Sequence, residues 1–162
     1  MGRRVGLARM EVLIENLKRE LQLNGSRLIG GKRGLRSTIT DSRALTVEES
    51  GMMIPLNNSA GSSDLTITLP SPQVGLEYLF VLVANSGGAN KILINAGTGN
   101  NIQGRKMEIP NGTGNITSGA HNGIQIGFGN SATRGDMLHL ICRSSNRWVI
   151  VQSASSVAWV TS

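Results

Sequence analysis

Apolar residues change their period near residue 44. Before it, Leu7, Met10, Ile14, Leu17 and Leu21 follow one another at spacings of 3, 4, 3 and 4. That is the a/d stripe of an amphipathic helix. Glu11, Glu15, Lys18, Arg19 and Glu20 flank the stripe, and Glu15–Arg19 is an i,i+4 pair in the favourable order. Asn24-Gly25 then supplies a helix stop. A helix of about 20 residues is marginal alone in water. It therefore needs a partner: its own body, sister subunits or another protein.

After residue 44 the period is two. Leu65, Ile67 and Leu69 point one way and Thr66 and Thr68 the other, until Pro70-Ser71-Pro72 ends the strand. Tyr78 to Ala84 is continuously apolar, which predicts a central strand buried on both faces. Asn85-Ser86-Gly87-Gly88 predicts a turn, with Lys91–Ala96 returning. Ile124, Ile126 and Phe128 predict another inward row. Met137–Cys142 and Trp148–Val151 face each other across Ser144-Ser145-Asn146, a hairpin signal. Residues 98–123 are rich in Gly and Asn and read as a long irregular stretch with one short strand core, Met107-Glu108-Ile109. Gly51, Gly75 and Gly104 read as bulges or tight bends. The expected fold is mainly β: an antiparallel β-sandwich or barrel, jelly-roll-like, with an N-terminal amphipathic helix and an extended basic arm.

Charge sharpens the division. Residues 1–43 hold ten basic and four acidic side chains, and so carry the whole net charge of +6. Residues 44–162 hold six of each. Two parts are therefore expected, a helix and arm over 1–43 and a β-rich body over 44–162. Between Gly25 and Arg43, glycines alternate with Arg27, Lys32, Arg33 and Arg36, a cationic stretch suited to an acidic protein surface or to nucleic acid. Nucleic acid is the weaker choice. The arm has no aromatic residue for base stacking and no zinc-finger or helix-turn-helix spacing. Aromatics are only 3 % of the chain, so a thin core is expected, one that oligomer contacts could supplement.

Candidate chemistry is sparse. The single cysteine, Cys142, allows no intrachain disulfide. No apolar run has membrane-spanning length. Charge at Arg9, Glu11 and Glu15 follows Arg3-Arg4, so no secretory or twin-Arg signal is expected. Synthesis in a reducing cytoplasm follows from these readings. His139 and Cys142, three apart on a strand, fall on opposite faces and cannot easily share a metal; His121 is read as a loop residue. Glu48-Glu49 reads as a solvated turn rather than a carboxylate dyad. Arg134-Gly135-Asp136 spells an integrin-type tripeptide, but Gly-Asp opening a strand is ordinary turn chemistry. Trp148 reads as a core anchor, and Trp159 as exposed or sealing an edge. No catalytic residue, cofactor, metal or small-molecule substrate is expected, and no enzyme.

Two segments carry a resemblance. Asp64-Leu65-Thr66-Ile67-Thr68-Leu69-Pro70, followed by Gly75-Leu76-Glu77-Tyr78-Leu79-Phe80, is one. Gly135-Asp136-Met137-Leu138-His139-Leu140, then Asn146-Arg147-Trp148-Val149-Ile150, is the other. Together they resemble a small β-domain of tailed-bacteriophage capsid decoration and fibre proteins. The start, Gly2 to Arg9 and Leu17 to Leu21, is similar to small virion proteins of cyanobacterial and marine phages. The resemblance implies a decoration (cement) protein, often a homotrimer, made in the host bacterial cytoplasm and bound outside the shell of the major capsid protein. Arg3, Arg4, Leu7, Arg9, Met10, Ile14, Leu17, Lys18, Arg19, Leu21, Lys32, Arg33 and Arg36 are then the expected capsid-binding residues. A tail or head fibre protein is the first alternative, and a nucleic-acid-binding accessory protein the second.

Overall fold

A computed structural model of the chain describes residues 10–15, 34–87, 89–109 and 116–161. Residues 10–15 are helical, within the predicted helix. A separate compact unit, Arg33–Ser162, carries the strands. In chain order these are β1 (Gly34–Leu35), β2 (Arg43–Ala44), β3 (Met52–Leu56), β4 (Leu65–Thr68), β5 (Glu77–Leu82) and β6 (Ile92–Asn95). There follow β7 (Asn101–Glu108), β8 (Thr117–Gly123), β9 (Gln125–Phe128), β10 (Met137–Ser144), β11 (Arg147–Ala154) and β12 (Val160–Thr161). Residues 34–43, read from sequence as arm, thus contribute β1, the buried Ile39 and the start of β2 to the body.

The strands form two layers, as expected of a mainly β, sandwich-like fold. One sheet has seven strands in the order β1-β3-β5-β10-β11-β7-β8, and the other five, β12-β9-β6-β4-β2. Both are mixed. The first half of the body is a coil: successive strands alternate between the sheets, so β1, β3 and β5 pair in parallel in one and β2, β4 and β6 in the other. A parallel neighbour cannot be reached by a tight turn. Here the crossover is a strand of the opposite sheet. The second half closes the coil with antiparallel strands: β9 lies on β6 and β10 on β5.

Three expectations are corrected by this winding. Lys91–Ala96 does not return beside Tyr78–Ala84; its strand β6 pairs with β4 and β9 in the other sheet. Residues 98–123 are not irregular, because β7 and β8 form a seven-pair antiparallel ladder from Ile102↔Gly123 to Glu108↔Thr117. His121 is therefore a strand residue. Ile124 does not join Ile126 and Phe128 inside; it sits at a bend and is 46 % exposed.

The core lies between the layers. All five aromatic side chains are in it: Tyr78, Phe80, Phe128, Trp148 and Trp159. Tyr78 packs on Trp148 with ring centroids 5.6 Å apart, and Phe128 on Trp159 at 5.0 Å. Ile54, Leu56, Ile67, Ile92, Ile94 and Leu140 fill the space between, all fully buried. Few aromatic side chains suffice because none is spent on the surface. The predicted β10–β11 hairpin is present, with Ser144 opposite Arg147. Gly51 and Gly75 hold positive φ at turns, as read; Gly104 also holds positive φ but lies within β7, whose register runs unbroken through it.

Candidate interaction surface

The core-facing half of the central strands is apolar in both sheets, whereas in β7 and β8 only Ile102 and His121 are buried; the outward halves differ. On the five-stranded sheet the outward positions of β4, β6 and β9 carry Thr66, Thr68, Asn95 and Gln125, with Leu93 the apolar exception. On the seven-stranded sheet the central outward positions are apolar. Cross-strand register arranges them in rows. One row runs Pro55, Val81, Met137, Ala154. The next has Met53, Leu79, His139 and Gln152, and the third Glu77, Ile141 and Val149. Apart from buried Pro55 and exposed Gln152, these side chains are half-buried by one another. Leu35 and the bulge residue Val151, beside the rows, are 64 % and 54 % exposed. The expectation that Tyr78–Ala84 is buried on both faces is therefore corrected: Tyr78, Phe80 and Leu82 are buried, whereas Leu79 and Val81 are only partly covered.

One polar pair interrupts the face. His139 Nε2 lies 2.7 Å from Glu77 Oε1, so the two groups satisfy each other. Cys142 points into the core on the opposite side from His139, as the spacing predicts, and burial pushes its thiol pKa up. Both effects disfavour a nucleophile. Among the described residues no cluster of three or more His, Cys, Asp or Glu could hold a metal. No described helix is long and apolar enough to cross a membrane.

The first residues of the body are held by a charged clamp. Arg36 and Arg43 both pair with Glu49, whose carboxylate is 6 % exposed, the Arg43 Nη2–Oε2 distance being 2.8 Å. Oε2 also accepts the Thr46 N–H at 2.8 Å, and Tyr78 Oη donates to the Thr46 carbonyl at 2.8 Å. Glu49 is thus not part of a solvated turn. Its buried charge is matched by two cations and a main-chain donor, which is what permits the burial. Thr46 and Glu49 are spaced as a capping box, the sequence signal that could have placed it.

Of the expected capsid-binding residues, three lie among the described ones. Met10 and Ile14 are on the helical turn and are 47 % and 55 % exposed. Arg36 is engaged with Glu49. Arg3, Arg4, Leu7, Arg9, Leu17, Lys18, Arg19, Leu21, Lys32 and Arg33 lie outside the described residues. The Arg134-Gly135-Asp136 tripeptide is structural. Asp136 is buried, and its Oδ2 accepts from Ser156 N at 3.0 Å, Ser156 Oγ at 2.8 Å and Thr133 N at 3.2 Å. Trp159 seals an edge, its Nε1 donating to the Met107 carbonyl at 2.9 Å. An open polar cleft of about 350 Å³ lies between residues 40–42 and 57–65. Its polar groups are internally bonded: Asp64 Oδ1 accepts the Lys91 N–H at 2.8 Å, and Asn58 Nδ2 donates to the Ser63 and Lys91 carbonyls at 3.2 Å.

No protein-family model matches this chain, and no curated protein matches it. The surfaces themselves carry the functional argument.

Proposed function

We propose that this chain is a virion structural protein of the capsid-decoration (cement) class. The observation that carries the reading is the apolar outward face of the seven-stranded sheet on a body, Arg33–Ser162, of net charge +2, preceded by residues 1–32 of net charge +4. Such a face, about 19 Å by 17 Å from strand spacing and rise, is comparable to the largest apolar patch of an ordinary monomer, a patch that is often functional. In the proposed assembly the arm docks on the major capsid protein and the apolar face packs three sister bodies together. Contacts of several kinds then add across capsomer joints by multivalency. The resemblance of the 64–80 and 135–150 segments to phage virion β-domains supports the same reading.

The test is binding to phage shells. Deleting residues 2–24 is expected to abolish shell binding while the body stays folded. Val81→Lys, on the outward face, is expected to leave the fold intact and dissociate the homotrimer. Undiminished shell binding by the truncation sinks the proposal. The long β7–β8 hairpin favours one second reading, a fibre or tail-associated attachment protein, because Met107, Ile109 and Ile116 are 40 %, 43 % and 61 % exposed beside its far end. Antibody labelling of particles separates the two, on the shell or at the tail.

A further inference from the structure

We infer that β8 is a strand-addition edge whose occupant is β8 of a second copy, paired antiparallel about a two-fold axis at Ala120. This rests on edge geometry alone and not on the decoration reading. The other three sheet edges, β1, β2 and β12, are two residues long. Short edges are a common guard against strand addition. β8 is seven residues long, pairs among the described residues only with β7, and carries no Lys, Arg, Asp, Glu or Pro between Thr117 and Gly123. Among the described residues it is the one long edge with no charge or proline of its own.

The direction of its backbone groups follows from β7. Met107 turns its N–H to Ser153 Oγ at 3.0 Å, and its carbonyl accepts from Ser155 N at 3.1 Å, both on the β11 side. The Arg105 carbonyl likewise accepts from Ser153 Oγ at 3.3 Å. In an antiparallel ladder the two main-chain groups of one residue point to the same side, and successive residues alternate. Met107↔Ser118, Arg105↔Ala120 and Gln103↔Asn122 are therefore the non-hydrogen-bonded pairs of the hairpin. Ser118, Ala120 and Asn122 must then aim their N–H and C=O groups away from β7, at the open edge.

A second β8 related by a two-fold at Ala120 places Ala120 opposite Ala120 and Ser118 opposite Asn122. Each opposed pair exchanges two bonds, giving about six main-chain hydrogen bonds. The outward side chains are small and uncharged, and Ser118 meets Asn122, a hydrogen-bonding pair. The nearest like charges are the two Lys106 side chains, whose stems lean over Gly119 of β8, Lys106 Cε lying 3.3 Å from where a Gly119 Cβ would stand. Across the two-fold the two Gly119 positions are diagonal neighbours about 7–8 Å apart, close to the physiological screening length of about 8 Å. A second copy fits this edge once the flexible Lys106 heads turn outward to water, and a two-fold contact is closed by symmetry.

The test uses the full chain. Light scattering is expected to give a dimer, or a hexamer of two β8-joined trimers where the proposed trimer also forms in solution, whose mass is halved by Ala120→Pro. Proline there removes an outward N–H and leaves the β7 ladder untouched. Ala120→Cys gives an independent readout that does not depend on proline being tolerated. Opposed Cα atoms at about 5.5 Å are within disulfide range. Oxidation is expected to link Ala120→Cys chains but not Ser145→Cys chains, which bear a thiol on the exposed β10–β11 turn. The buried Cys142 does not compete. A monomeric or odd-numbered wild type, a mass unchanged by Ala120→Pro, or cross-linking no better than that of Ser145→Cys overturns the inference. None of these outcomes bears on shell binding by the arm.

Discussion

Removing the carboxylate of Glu49 tests whether the clamp holds the start of the body in place. Three bonds are at stake: the Thr46 N–H, and the Arg43 and Arg36 guanidinium groups. The cap bond contributes about 1 kcal/mol. A charge-assisted bond contributes about 1.5–3 kcal/mol. Both arginine side chains are close to 30 % exposed, so solvent can take over part of that role. A discounted figure of about 1 kcal/mol for Arg43 and about 0.5 kcal/mol for Arg36 is appropriate. The total for Glu49→Ala is then about 2.5 kcal/mol. Glu49→Gln keeps an acceptor for Thr46 and the side-chain shape, losing about 1–1.5 kcal/mol on the same reasoning. The assay is urea unfolding followed by fluorescence of the two buried tryptophans, Trp148 and Trp159. With a slope of about 1.5 kcal/mol/M, the alanine midpoint falls by about 1.7 M and the glutamine midpoint by less than 1 M. The slope itself stays constant. An alanine variant within about 0.5 kcal/mol of wild type, the range of ordinary surface changes, would refute the reasoning. So would a glutamine variant as damaged as alanine, since the charge alone would then matter.

Two further outcomes follow from the same structure. Gly104 has φ +144°, and a Cβ there would sit 2.8 Å from Ile150 Cβ and 3.0 Å from the Ile150 carbonyl. Gly104→Ala is expected to destabilise the body by about 2–4 kcal/mol through overpacking and strain, read as a lowered thermal midpoint; an unchanged midpoint would contradict the close β7–β11 approach. His121 is buried with Nε2 unpartnered, and its pKa is lowered first by burial and then by Lys106. The fold therefore disfavours its protonated form. Stability is unaffected where both states are neutral and falls as pH drops below the unfolded value of about 6.5. His121→Leu is expected to flatten that acid limb in urea titrations between pH 7 and 4, and an identical limb in both proteins rejects the assignment.

What the sequence could and could not disclose follows from what alternation encodes. It reports which face of a strand is buried, and so Leu65/Ile67/Leu69 and the β10–β11 hairpin were legible. It does not report the neighbour. Ile92–Asn95 alternates equally well beside β5 or beside β4, and the Asn85–Gly88 turn signal suggested the wrong one. Parallel pairing left no local trace, since its crossover is another strand rather than a helix. The β7–β8 hairpin was hidden for a different reason. Its ladder is a main-chain property, and of its inward positions only Ile102 and His121 are buried. Composition alone then reads as loop. At the candidate surface the signal was present but given the wrong burial. The unbroken apolar runs at Tyr78–Ala84 and Met137–Cys142 do describe strands built for burial on both faces, and the second cover is not among the described residues of the chain.

The energetics of that second cover explain why the charge is divided between arm and body. A geometric face of about 320 Å², four strands wide and five residues long, sets a ceiling of about 8 kcal/mol gross when it leaves water, lowered by the half-burial of its side chains and by Glu77, His139 and Gln152 within it. Association itself costs about 4–15 kcal/mol before any surplus appears. The face alone is therefore poised near zero, enough to prefer company and too little to assemble reliably. Solubility does not account for it, because the opposite sheet of the same body turns Thr66, Thr68, Asn95 and Gln125 outward. A second attachment on the same chain changes the balance, since tethering converts the next contact into an intramolecular one. In the proposed assembly residues 1–32, of net charge +4, provide that attachment by long-range attraction to an acidic surface, and it weakens with salt. The body, Arg33–Ser162, with nine basic and seven acidic side chains, adds little net repulsion when copies are brought together. In the proposed assembly, then, the arm sets where the bodies gather, and the apolar face contributes only after they have gathered there. That ordering favours assembly on the shell over assembly in free solution.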